Sequence, residues 1–504
     1  MKQSSVIAVI DIGKTNKKVL LFSRDLELLD SAYRSFDEYE RDGIRYEDVE
    51  NAFDWIVGQL RTFADSYNIA AISVSTHGAT AMCLDKDGKL AVPPVAYTTE
   101  ASENFRHEFF ERFGSPEDLQ HQTATAEVGS LINLGKLIYF QQKIWPEQFA
   151  DVDQILYYPQ YFGFRLTGRA GAEPTYTGCH TYLYDVRNHQ PSSVAKGLGV
   201  DDKIPFDIAK SWEILGTLKP DIAEQTGISP DCVVTMGIHD SNASLLPYLV
   251  QGNENFVLNS TGTWCVAMHP TDRVEFREDE LGKLVFYNLD AFFQPVKTSI
   301  FMGGQEFETY NKILEGIHGP TDWPAFEPAL FQRVVQEQKL FVLPSVVKGT
   351  GIFPDARPRV IEGDREYPLA DIQGGKAVPD FFRNRTLADA VLVLSLALQT
   401  KAALNITGYD GAGTVFTEGG FRHNTRYNPI LSRLYPQGTC CLTELKEATA
   451  FGAALLARAA LDGTDPMALR DAFSINTSTV EPAPLDGLDA YGDHFFERLR
   501  TDGS

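Results

Sequence analysis

The sequence predicts an α/β protein made of two similarly built halves, and three observations lead to this prediction. The chain has 504 residues, more than the roughly 250 to 300 residues at which a single hydrophobic core stops growing. Short apolar, β-branched runs alternate with longer stretches of helical spacing. A strand, a glycine-containing turn and a second strand follow one another near the start of each half, so we expect the two turns to face each other.

The first half begins with a β-meander. Residues 6–10 are β-branched without interruption, as a buried strand should be, and the turn at 11–16 leads to another strand instead of a helix. This order differs from the strand–turn–helix unit of a P-loop or dinucleotide-binding fold. The predicted strands of this half cover 6–10, 18–22, 26–32 and 71–75, and the predicted helices cover 49–67 and most of 100–145.

The second half repeats the opening pattern. Pro247 and the polar residues that follow it interrupt the order between 243 and 255, which places the domain boundary there. We therefore expect an N-terminal domain of residues 1–245 and a C-terminal domain of residues 246–504. The predicted elements of the second half are strands over 255–258 and 264–268, a turn over 259–263, and a long helix with an apolar stripe over 386–404.

Acidic residues greatly outnumber basic ones. The chain has 68 Asp and Glu against 45 Lys and Arg, a formal net charge of −23. A surface of this charge repels nucleic acid and anionic membranes over most of its area, so we expect neither as a partner. An anionic ligand must then be held locally, by backbone N–H groups, a metal ion or a few lysines. The content of 43% hydrophobic and 22% charged residues excludes a disordered or collagen-like chain.

Cysteine usage and the apolar segments indicate a cytoplasmic protein. The six cysteines show no CxxC pair and no Cys/His spacing of a zinc site, and a reducing compartment fits them best. The opening residues do not have the pattern of a signal peptide, because their apolar run is brief and passes straight into Asp11. The longest apolar helix candidate, residues 390–398, is about half the length needed to cross a bilayer.

The first candidate site is the turn Asp11-Ile12-Gly13-Lys14-Thr15-Asn16. A glycine between two strands lets successive N–H groups point into one concavity that binds an anion. Asp11 at the strand end has the chemistry to hold Mg²⁺, usually through water. An ordinary hairpin turn is the alternative, because Asp and Gly are favoured there in any case.

The second candidate turn, Ser260-Thr261-Gly262-Thr263, has the same composition of small residues, a glycine and hydroxyl groups. Alone it is equally compatible with an ordinary turn. One such turn in each half favours a nucleotide cleft, because a cleft needs walls from both sides.

The third candidate is Asp240, in the run Gly237-Ile238-His239-Asp240-Ser241 after an apolar strand. A helix is predicted to begin near Ser241, so the positive end of its dipole should keep Asp240 ionised. An ionised carboxylate in a cleft can orient and deprotonate a substrate hydroxyl. N-capping of the helix by Asp240 or Ser241 is the alternative. We interpret His239 as a packed histidine, since no partner is spaced for a metal site.

The fourth candidate follows another strand, at Gly419-Gly420 with Asn424. Two glycines allow a flat ring to approach the backbone, although a plain loop before a helix explains them equally well. Farther on, residues 447–454 place small side chains along a helix, which permits close packing on a neighbouring element.

The order and spacing of these segments resembles the FGGY carbohydrate kinases, sugar kinases of the actin-like ATPase superfamily. The resemblance extends from Ile7 to about Arg458 and implies two ribonuclease H-like, actin-type ATPase domains with an interdomain cleft. It implies ATP and Mg²⁺ as cofactors, Asp240 as the catalytic residue and Asp11 as the metal ligand. The ATP-binding residues that it implies are Gly13, Lys14, Thr15, Asn16, Ser260, Thr261, Gly262, Thr263, Gly419, Gly420 and Asn424.

The sugar is less well specified, because the chain departs from the family pattern around the expected sugar site. Gln160 stands where an aspartate is usual, and Tyr97-Thr98-Thr99-Glu100 replaces an aromatic residue followed by Asp and Arg. The segments at 76–79 and 237–240 are most similar to the rhamnulose and fuculose kinase branch, with an uncharacterised sister group as the alternative. We expect the N-terminal half to build the sugar site, from His77, Gly78, Tyr97, Glu100 and Asp240.

The sequence thus predicts ATP-dependent phosphorylation of a primary hydroxyl of a ketose, either a 6-deoxy-ketohexose such as L-rhamnulose or L-fuculose, or a ketopentose. Alternatives within the same chemistry are a xylulose, ribulose or glycerol kinase. A non-catalytic sugar sensor or an actin-like assembly protein is the alternative of another class. The sequence is also compatible with a homodimer of this chain.

Overall fold

The computed structural model describes residues 5–320, 322–347 and 351–500. Each half of the chain is organised around a seven-stranded mixed sheet. In the first half the strands are β1 Ser5–Ile12, β2 Asn16–Ser23, β3 Leu28–Ser35, β4 Tyr39–Arg41, β5 Ile44–Tyr46, β6 Asn68–Thr76, β7 Ala81–Leu84, β8 Gln154–Tyr157, β9 Tyr184–Asp185, β10 Gln190–Pro191, β11 Ile214–Thr217, β12 Val233–Thr235 and β13 Ile238–His239.

Helices cover both sides of this first sheet. They are α1 Val49–Ala64, α2 Glu103–Phe113, α3 Pro116–Thr123, α4 Leu134–Ile144, α5 Pro146–Ala150, α6 Tyr158–Thr167, α7 Pro174–Thr177, α8 Ser193–Leu198, α9 Pro220–Thr226 and α10 Asp240–Val250. The apolar face of α1 carries Phe53, Ile56 and Leu60 into the core of this half, as its 3.6-residue spacing predicts.

The strands of the second half are β14 Phe256–Thr261, β15 Cys265–Pro270, β16 Val285–Leu289, β17 Pro295–Phe301, β18 Leu340–Leu343, β19 Arg359–Glu362, β20 Arg365–Pro368, β21 Thr414–Gly419, β22 Thr439–Thr443 and β23 Thr477–Thr479. The helices are α11 Gly303–His318, α12 Pro328–Glu337, α13 Leu369–Gln373, α14 Arg385–Ile406, α15 Tyr427–Leu434, α16 Ala448–Asp462 and α17 Leu488–Arg500. Single 3₁₀ turns lie at Glu278–Glu280, Asp380–Arg383, Gly420–His423 and Pro466–Leu469.

The two sheets share one topology. In the first, β3, β2, β1, β6 and β12 are neighbours in that order; in the second, β17, β15, β14, β21 and β22 are neighbours in the same way. In both orders adjacent strands among the first three are antiparallel. The last two strands run parallel to the third. This repeat confirms the predicted α/β fold with two similar halves.

The two opening turns are shorter than predicted. Asp11 still belongs to β1, and β2 already begins at Asn16. In the second half, residues 259–261 belong to β14, so the turn starts at Gly262. In each case cross-strand pairing continues to the edge of a tight turn.

A continuous helix, α10, covers the predicted boundary at residue 245. Pro247 lies inside it without ending it. Against α10 packs α16, a helix of the second half that also contacts β1 and β6 of the first. A Cβ atom on Gly452 would lie 1.9 Å from the carbonyl oxygen of Ala243, so this close packing requires a glycine. The small residues predicted to permit close packing do so here.

Helix α14 is longer than its predicted apolar stretch. Its 22 residues are long and apolar enough to cross a membrane, but 83% of its most apolar window is buried within the protein. It packs among β18, α11, α12 and α15, which is the position of a core helix.

Candidate active site

A cavity of about 250 Å³ lies between the two halves. Four of the five predicted sugar-binding residues line it, namely His77, Gly78, Tyr97 and Asp240. Glu100 does not: it is exposed and lines a separate cavity beside Glu127 and Lys136. The second half also supplies much of the wall, although the sequence predicts a sugar site built by the first half. These residues of the second half are Trp264, Val266, Phe286, Asn288, Thr298 and Ile300.

Asp240 is the first residue of α10, directly after the two-residue strand β13. Its Oδ1 accepts hydrogen bonds from the backbone N–H of Ser241 at 2.6 Å and from the Ser241 hydroxyl at 3.3 Å. The Nε2 of His239 lies 3.2 Å from the same oxygen. All three contacts use Oδ1, so within the described part of the chain Oδ2 is open to a ligand. The side chain keeps 31% of its exposure, on the cavity wall.

Burial in the cleft raises the pKa of Asp240 to about 6, although its hydrogen bonds to Ser241 and the charge of Lys18 oppose this rise. The direction is opposite to the one expected from the helix dipole, because desolvation of the carboxylate outweighs the dipole. The carboxylate is still mainly ionised at pH 7. A pKa near the working pH suits a group that must accept a proton.

His239 has a defined tautomer. Burial lowers its pKa to about 3, so the ring is neutral. The amide Nδ2 of Asn242 lies 3.2 Å from Nδ1, and an amide N–H₂ group only donates. Nδ1 is therefore the acceptor, and Nε2 carries the proton. This Nε2 lies 3.7 Å from Sγ of Cys179 and 3.2 Å from Oδ1 of Asp240, so His239 is a packed histidine beside the carboxylate.

Gly78 makes room for this imidazole. A Cβ atom on Gly78 would lie 2.9 Å from Nε2 of His239, a distance that real Cβ contacts do not show. The space expected here for a ligand is therefore partly filled by the His239 ring.

His77 is buried in the cavity wall, with Nε2 3.8 Å from Oε1 of Glu47. Its Nδ1 lies 2.9 Å from the carbonyl oxygen of Gly78, and a carbonyl only accepts, so Nδ1 carries the proton. Nε2 then has a lone pair and no hydrogen-bond partner among the described residues. Burial, aided by the charge of Lys14, keeps the pKa of His77 well below its usual range.

Lys14 lies beside Tyr97 at this end of the site. Its Nζ donates to Oε1 of Glu47 at 2.5 Å and contacts Glu38, and it lies 4.3 Å from the centre of the Tyr97 ring. Tyr97 in turn meets the His77 ring edge-on, with 5.7 Å between centroids. The structure therefore places Lys14 next to the predicted sugar-binding residues, engaged with two carboxylates.

Asp11 is paired with a lysine that the sequence analysis does not select. Asp11 is 4% exposed, and its Oδ2 lies 3.3 Å from Nζ of Lys18. The same Nζ lies 2.7 Å from Oε2 of Glu447 in the second half. Burial raises the pKa of Asp11 to about 6; Lys18 opposes this, while Asp240 and Glu447 add to it.

The residues around Asp11 fit a magnesium ion. The described residues hold no group of three or more His, Cys, Asp and Glu side chains arranged for a metal. Mg²⁺ does not need such a cage, because it is usually bound through one or two carboxylates, with waters and substrate phosphates completing the shell. A buried carboxylate whose charge is only partly neutralised by Lys18, near Asp240 and Glu447, is a donor set of this kind.

The rest of the first turn is open on one side. Gly13 and Thr15 face solvent at least in part, and a Cβ atom on Gly13 would approach the Asn16 carbonyl oxygen to 3.1 Å. The Asn16 side chain accepts a hydrogen bond from the Ser35 hydroxyl at 2.9 Å. The backbone of this turn therefore remains available to an anion.

Hydrogen bonds join the other two predicted ATP-binding segments, residues 260–263 and 419–424. The buried hydroxyl of Thr261 donates to the Glu418 carbonyl oxygen and accepts from the N–H of Phe421 at 2.9 Å. Gly419 has φ of +77°, and a Cβ there would lie 2.0 Å from the Thr261 carbonyl oxygen. Gly262 and Thr263 form an exposed turn. Thr261 thus joins the two segments, whereas Gly262 and Thr263 are exposed and available to a ligand.

The remaining predicted ATP residues flank this joint. Burial raises the pKa of Glu418 to about 7, and the Ser260 hydroxyl is hydrogen-bonded to it. Gly420 is exposed. Asn424 caps the following helix, because its Oδ1 accepts the N–H groups of Arg426 and Tyr427 at 3.1 and 3.0 Å.

Sequence reasoning missed Lys18, Glu47 and the residues of the second half that line the cavity. A signal for Lys18 exists, because Asp11 and Lys18 are direct cross-strand partners in the β1–β2 hairpin. No sequence signal indicates Trp264 or Asn288, since their position depends on how the halves dock.

Comparisons with known proteins match both halves of the chain. The description "FGGY family of carbohydrate kinases, N-terminal domain" matches residues 6–247, and "Carbohydrate kinase FGGY, C-terminal domain" matches residues 253–465. A carbohydrate kinase from Novosphingobium aromaticivorans has a similar crystal structure, with a TM-score of 0.80, 27% identity and full coverage of both chains.

Two curated relatives are more distant. A rhamnulokinase from Bacteroides thetaiotaomicron is 24% identical over 282 residues, which is 54% of this chain and 56% of the relative. An L-fuculokinase from Salmonella typhi is 24% identical over 55% of this chain and 58% of its own length. The alignment thus spans little more than half the length of these relatives.

Proposed function

This chain belongs to the FGGY family of carbohydrate kinases, and from that premise we propose that it transfers the γ-phosphoryl group of ATP to a primary hydroxyl of a ketose. The observation that carries the proposal is that the contacts of the Asp240 carboxylate use only one of its two oxygens. Three contacts hold Oδ1, while Oδ2 stays open beside a cavity of monosaccharide size.

Asp240 orients the attacking hydroxyl and accepts its proton at Oδ2. Phosphoryl transfer passes through a loose transition state in which catalysis is mainly positioning and charge stabilisation. The His239 N–H and the two Ser241 donors fix the carboxylate plane by holding Oδ1. The open oxygen is thereby aimed by its neighbours before the sugar arrives, which is the form of preorganisation that lowers a barrier.

His77 and Tyr97 bind the sugar. The imidazole of His77, which lines the cavity, hydrogen-bonds a sugar hydroxyl, and the Tyr97 ring covers a C–H face. Lys14, held by Glu47 and lying over Tyr97, keeps this wall rigid.

The phosphates lie against the turns at Gly13–Thr15 and Gly262–Thr263, whose backbone N–H groups donate to them. Asp11 would hold Mg²⁺, which when bound neutralises charge on the phosphates. Lys18, already shared between Asp11 and Glu447, contributes a positive charge at the same place.

The apolar part of the cavity favours a deoxy sugar. Trp264, Phe286 and Ile300 line it, and a methyl group is better accommodated there than a hydroxyl without a partner. The similarity to a rhamnulokinase and an L-fuculokinase supports the same class, a 6-deoxy-ketohexose phosphorylated at its primary hydroxyl. A ketopentose is the next candidate.

We also place the protein in the cytoplasm. All six cysteines are free and buried, which suits a compartment that keeps thiols reduced.

The test is an ADP-release assay over a panel of sugars with MgATP. The panel holds L-rhamnulose, L-fuculose, xylulose, ribulose, glycerol and several aldoses. We expect a 6-deoxy-ketohexose to give the highest kcat/KM, with a ketopentose second. A best substrate that is glycerol or an aldose contradicts the substrate class, and ADP release that no sugar stimulates contradicts the kinase function.

A further inference from the structure

Two polar side chains in the cavity wall, away from Asp240, each contain an atom without a hydrogen-bond partner among the described residues. Asn288 is 2% exposed, and its Oδ1 has no hydrogen-bond partner among the described residues; the same holds for Nδ1 of His180. Both residues line the cavity that contains Asp240, yet neither hydrogen-bonds to Asp240. Because an unpaired polar group is costly to bury, these two side chains are candidates to hydrogen-bond a ligand in the cavity.

His180 belongs to the first half and Asn288 to the second. Packing between the halves fixes the position of both residues. The His180 ring packs edge-to-face on Phe286, with 4.6 Å between centroids, and Phe286 lies two positions before Asn288 on β16. Alternate residues of a strand share a face, so Phe286 and Asn288 present the same face of β16 to the cavity.

Further contacts fix β16 against the first half. The N–H of Tyr287 donates to the Ala124 carbonyl oxygen at 2.9 Å. A Cβ atom on Gly178 would lie 2.7 Å from Cγ of Leu289, so the strand touches the first half closely. Asn288 lies between these two contacts, and its position relative to His180 is therefore well defined.

The backbone at His180 is unusual as well. His180 has φ of +54° and Ala79, on the same cavity, has φ of +61°. Left-handed backbone is uncommon outside glycine, and such conformations cluster at ligand sites, where the surrounding structure holds them in place. The carbonyl of His180 helps to hold it by accepting the Leu134 N–H at 3.0 Å.

We propose that His180 and Asn288 form a subsite for a second oxygen of the sugar, a hydroxyl or carbonyl other than the hydroxyl aimed at Asp240. This inference rests on the proposed sugar kinase function. The second half then binds the sugar as well, in addition to the expected residues of the first half. The ligand class is a polyhydroxylated chain with at least two separated oxygens and a C–H surface between them, which packs on Phe286 and Trp264.

The two residues divide the recognition. The side-chain amide of Asn288 offers one acceptor and one donor group to the second sugar oxygen. Burial lowers the pKa of His180 to about 3, so its ring is neutral and offers one donor and one acceptor. A site that hydrogen-bonds an oxygen discriminates strongly against an analogue that lacks it.

The test compares wild type, Asn288→Ala and His180→Ala on the best sugar of the panel and on each of its monodeoxy analogues. For the intact sugar we expect each variant to lower kcat/KM about tenfold, the effect of one uncharged hydrogen bond. For one analogue, wild type should lose a similar factor, and the variants should lose nothing further. That coupling identifies the oxygen that the subsite binds.

Ser299→Ala is the matched control. Ser299 lies on β17 next to β16 and has a buried hydroxyl that is also unpartnered among the described residues, but it does not line the cavity. It should leave kcat/KM unchanged. Thermal melting checks folding, and His180→Ala keeps the test valid if Asn288→Ala fails to fold.

Two outcomes overturn the inference and can be told apart. If wild type turns over a sugar while every analogue loses the same factor in the wild type and in both variants, only the subsite is wrong. If no sugar stimulates ADP release, the proposed kinase function is wrong and the subsite falls with it.

Discussion

Nε2 of His239 lies 3.2 Å from Oδ1 of Asp240, and the amide of Asn242 fixes the direction of that contact from the other side of the ring. The three residues belong to one turn at the start of α10. A carboxylate, an imidazole and an amide thus lie next to one another at the start of this helix. Asn242 never touches the cavity, yet it decides which imidazole nitrogen carries the proton.

Asn242→Asp should reverse that tautomer. An ionised aspartate accepts from Nδ1–H of His239, which leaves the Nε2 lone pair facing Oδ1 of Asp240. With a lone pair instead of an N–H beside the carboxylate, 3.2 Å from Oδ1, kcat should fall about 10- to 100-fold, and the pKa on the acid side of the pH profile should rise. Steady-state kinetics over pH 5–9 measures both.

Asn242→Ala is the control for that change. It removes the amide donor without imposing the other tautomer, so its effect should be smaller and its pH profile nearly that of wild type. Equal losses in the two variants, with no shift in either pH profile, would show that Asn242 acts only through packing.

The pH dependence of kcat/KM follows from Asp240. Its carboxylate must be ionised to accept the hydroxyl proton, and burial raises its pKa to about 6. Activity should therefore be full above pH 7 and fall as the pH drops through about 6. Asp11 has a similarly raised pKa, so the profile is repeated with Asp11→Asn; an acid limb that disappears in this variant would assign it to Asp11 instead.

His77→Ala should weaken sugar binding selectively. The His77 imidazole lines the cavity, and the predicted phosphate turns do not. We expect the KM for the sugar to rise or kcat to fall about tenfold, the value of one uncharged hydrogen bond, while the affinity for ATP stays within a few-fold. Calorimetric titration with ATP alone provides the second value, and an equal loss for ATP and sugar would contradict the placement.

Gly452→Ala should destabilise the contact between the halves. Its Cβ would lie 1.9 Å from a backbone carbonyl of α10, and such overpacking costs about 1–3 kcal/mol. Gly316→Ala is the matched control on the exposed side of α11, where a Cβ meets nothing within 4 Å; it should stabilise the protein by about 0.5–1 kcal/mol. Denaturant unfolding compares them, and a Gly452→Ala protein as stable as wild type would contradict the packing argument.

The fold was accessible from the sequence because local patterns specify it. The uninterrupted β-branched run of β1, the glycine turns and the small residues of α16 each require one kind of structure. Pro247 does not end α10, because packing of α10 against α16 outweighs its local preference; the domain boundary at residue 245 stays a prediction.

The site was only partly accessible. His77 directly follows β6 and Asp240 directly follows β13, and these two strands are neighbours in one sheet. The topology of the sheet therefore brings the two residues to the same edge. Glu100 lies only three residues after Tyr97, but the chain turns away and leaves it exposed. Trp264, Phe286 and Asn288 reach the cavity through the docking of two halves, and no pattern within either half encodes that geometry.

The most direct test of the account is turnover by Asp240→Asn on the best sugar of the panel, with Asp231→Asn, a surface change in the same half, as the control. Asparagine keeps the shape of the side chain but cannot accept the proton, and loss of a positioned base costs about 10²–10⁴-fold. We expect kcat to fall by that factor while calorimetric affinity for ATP and the activity of the control stay near wild type. An Asp240→Asn enzyme with near-normal kcat would contradict the assignment of Asp240 as the base.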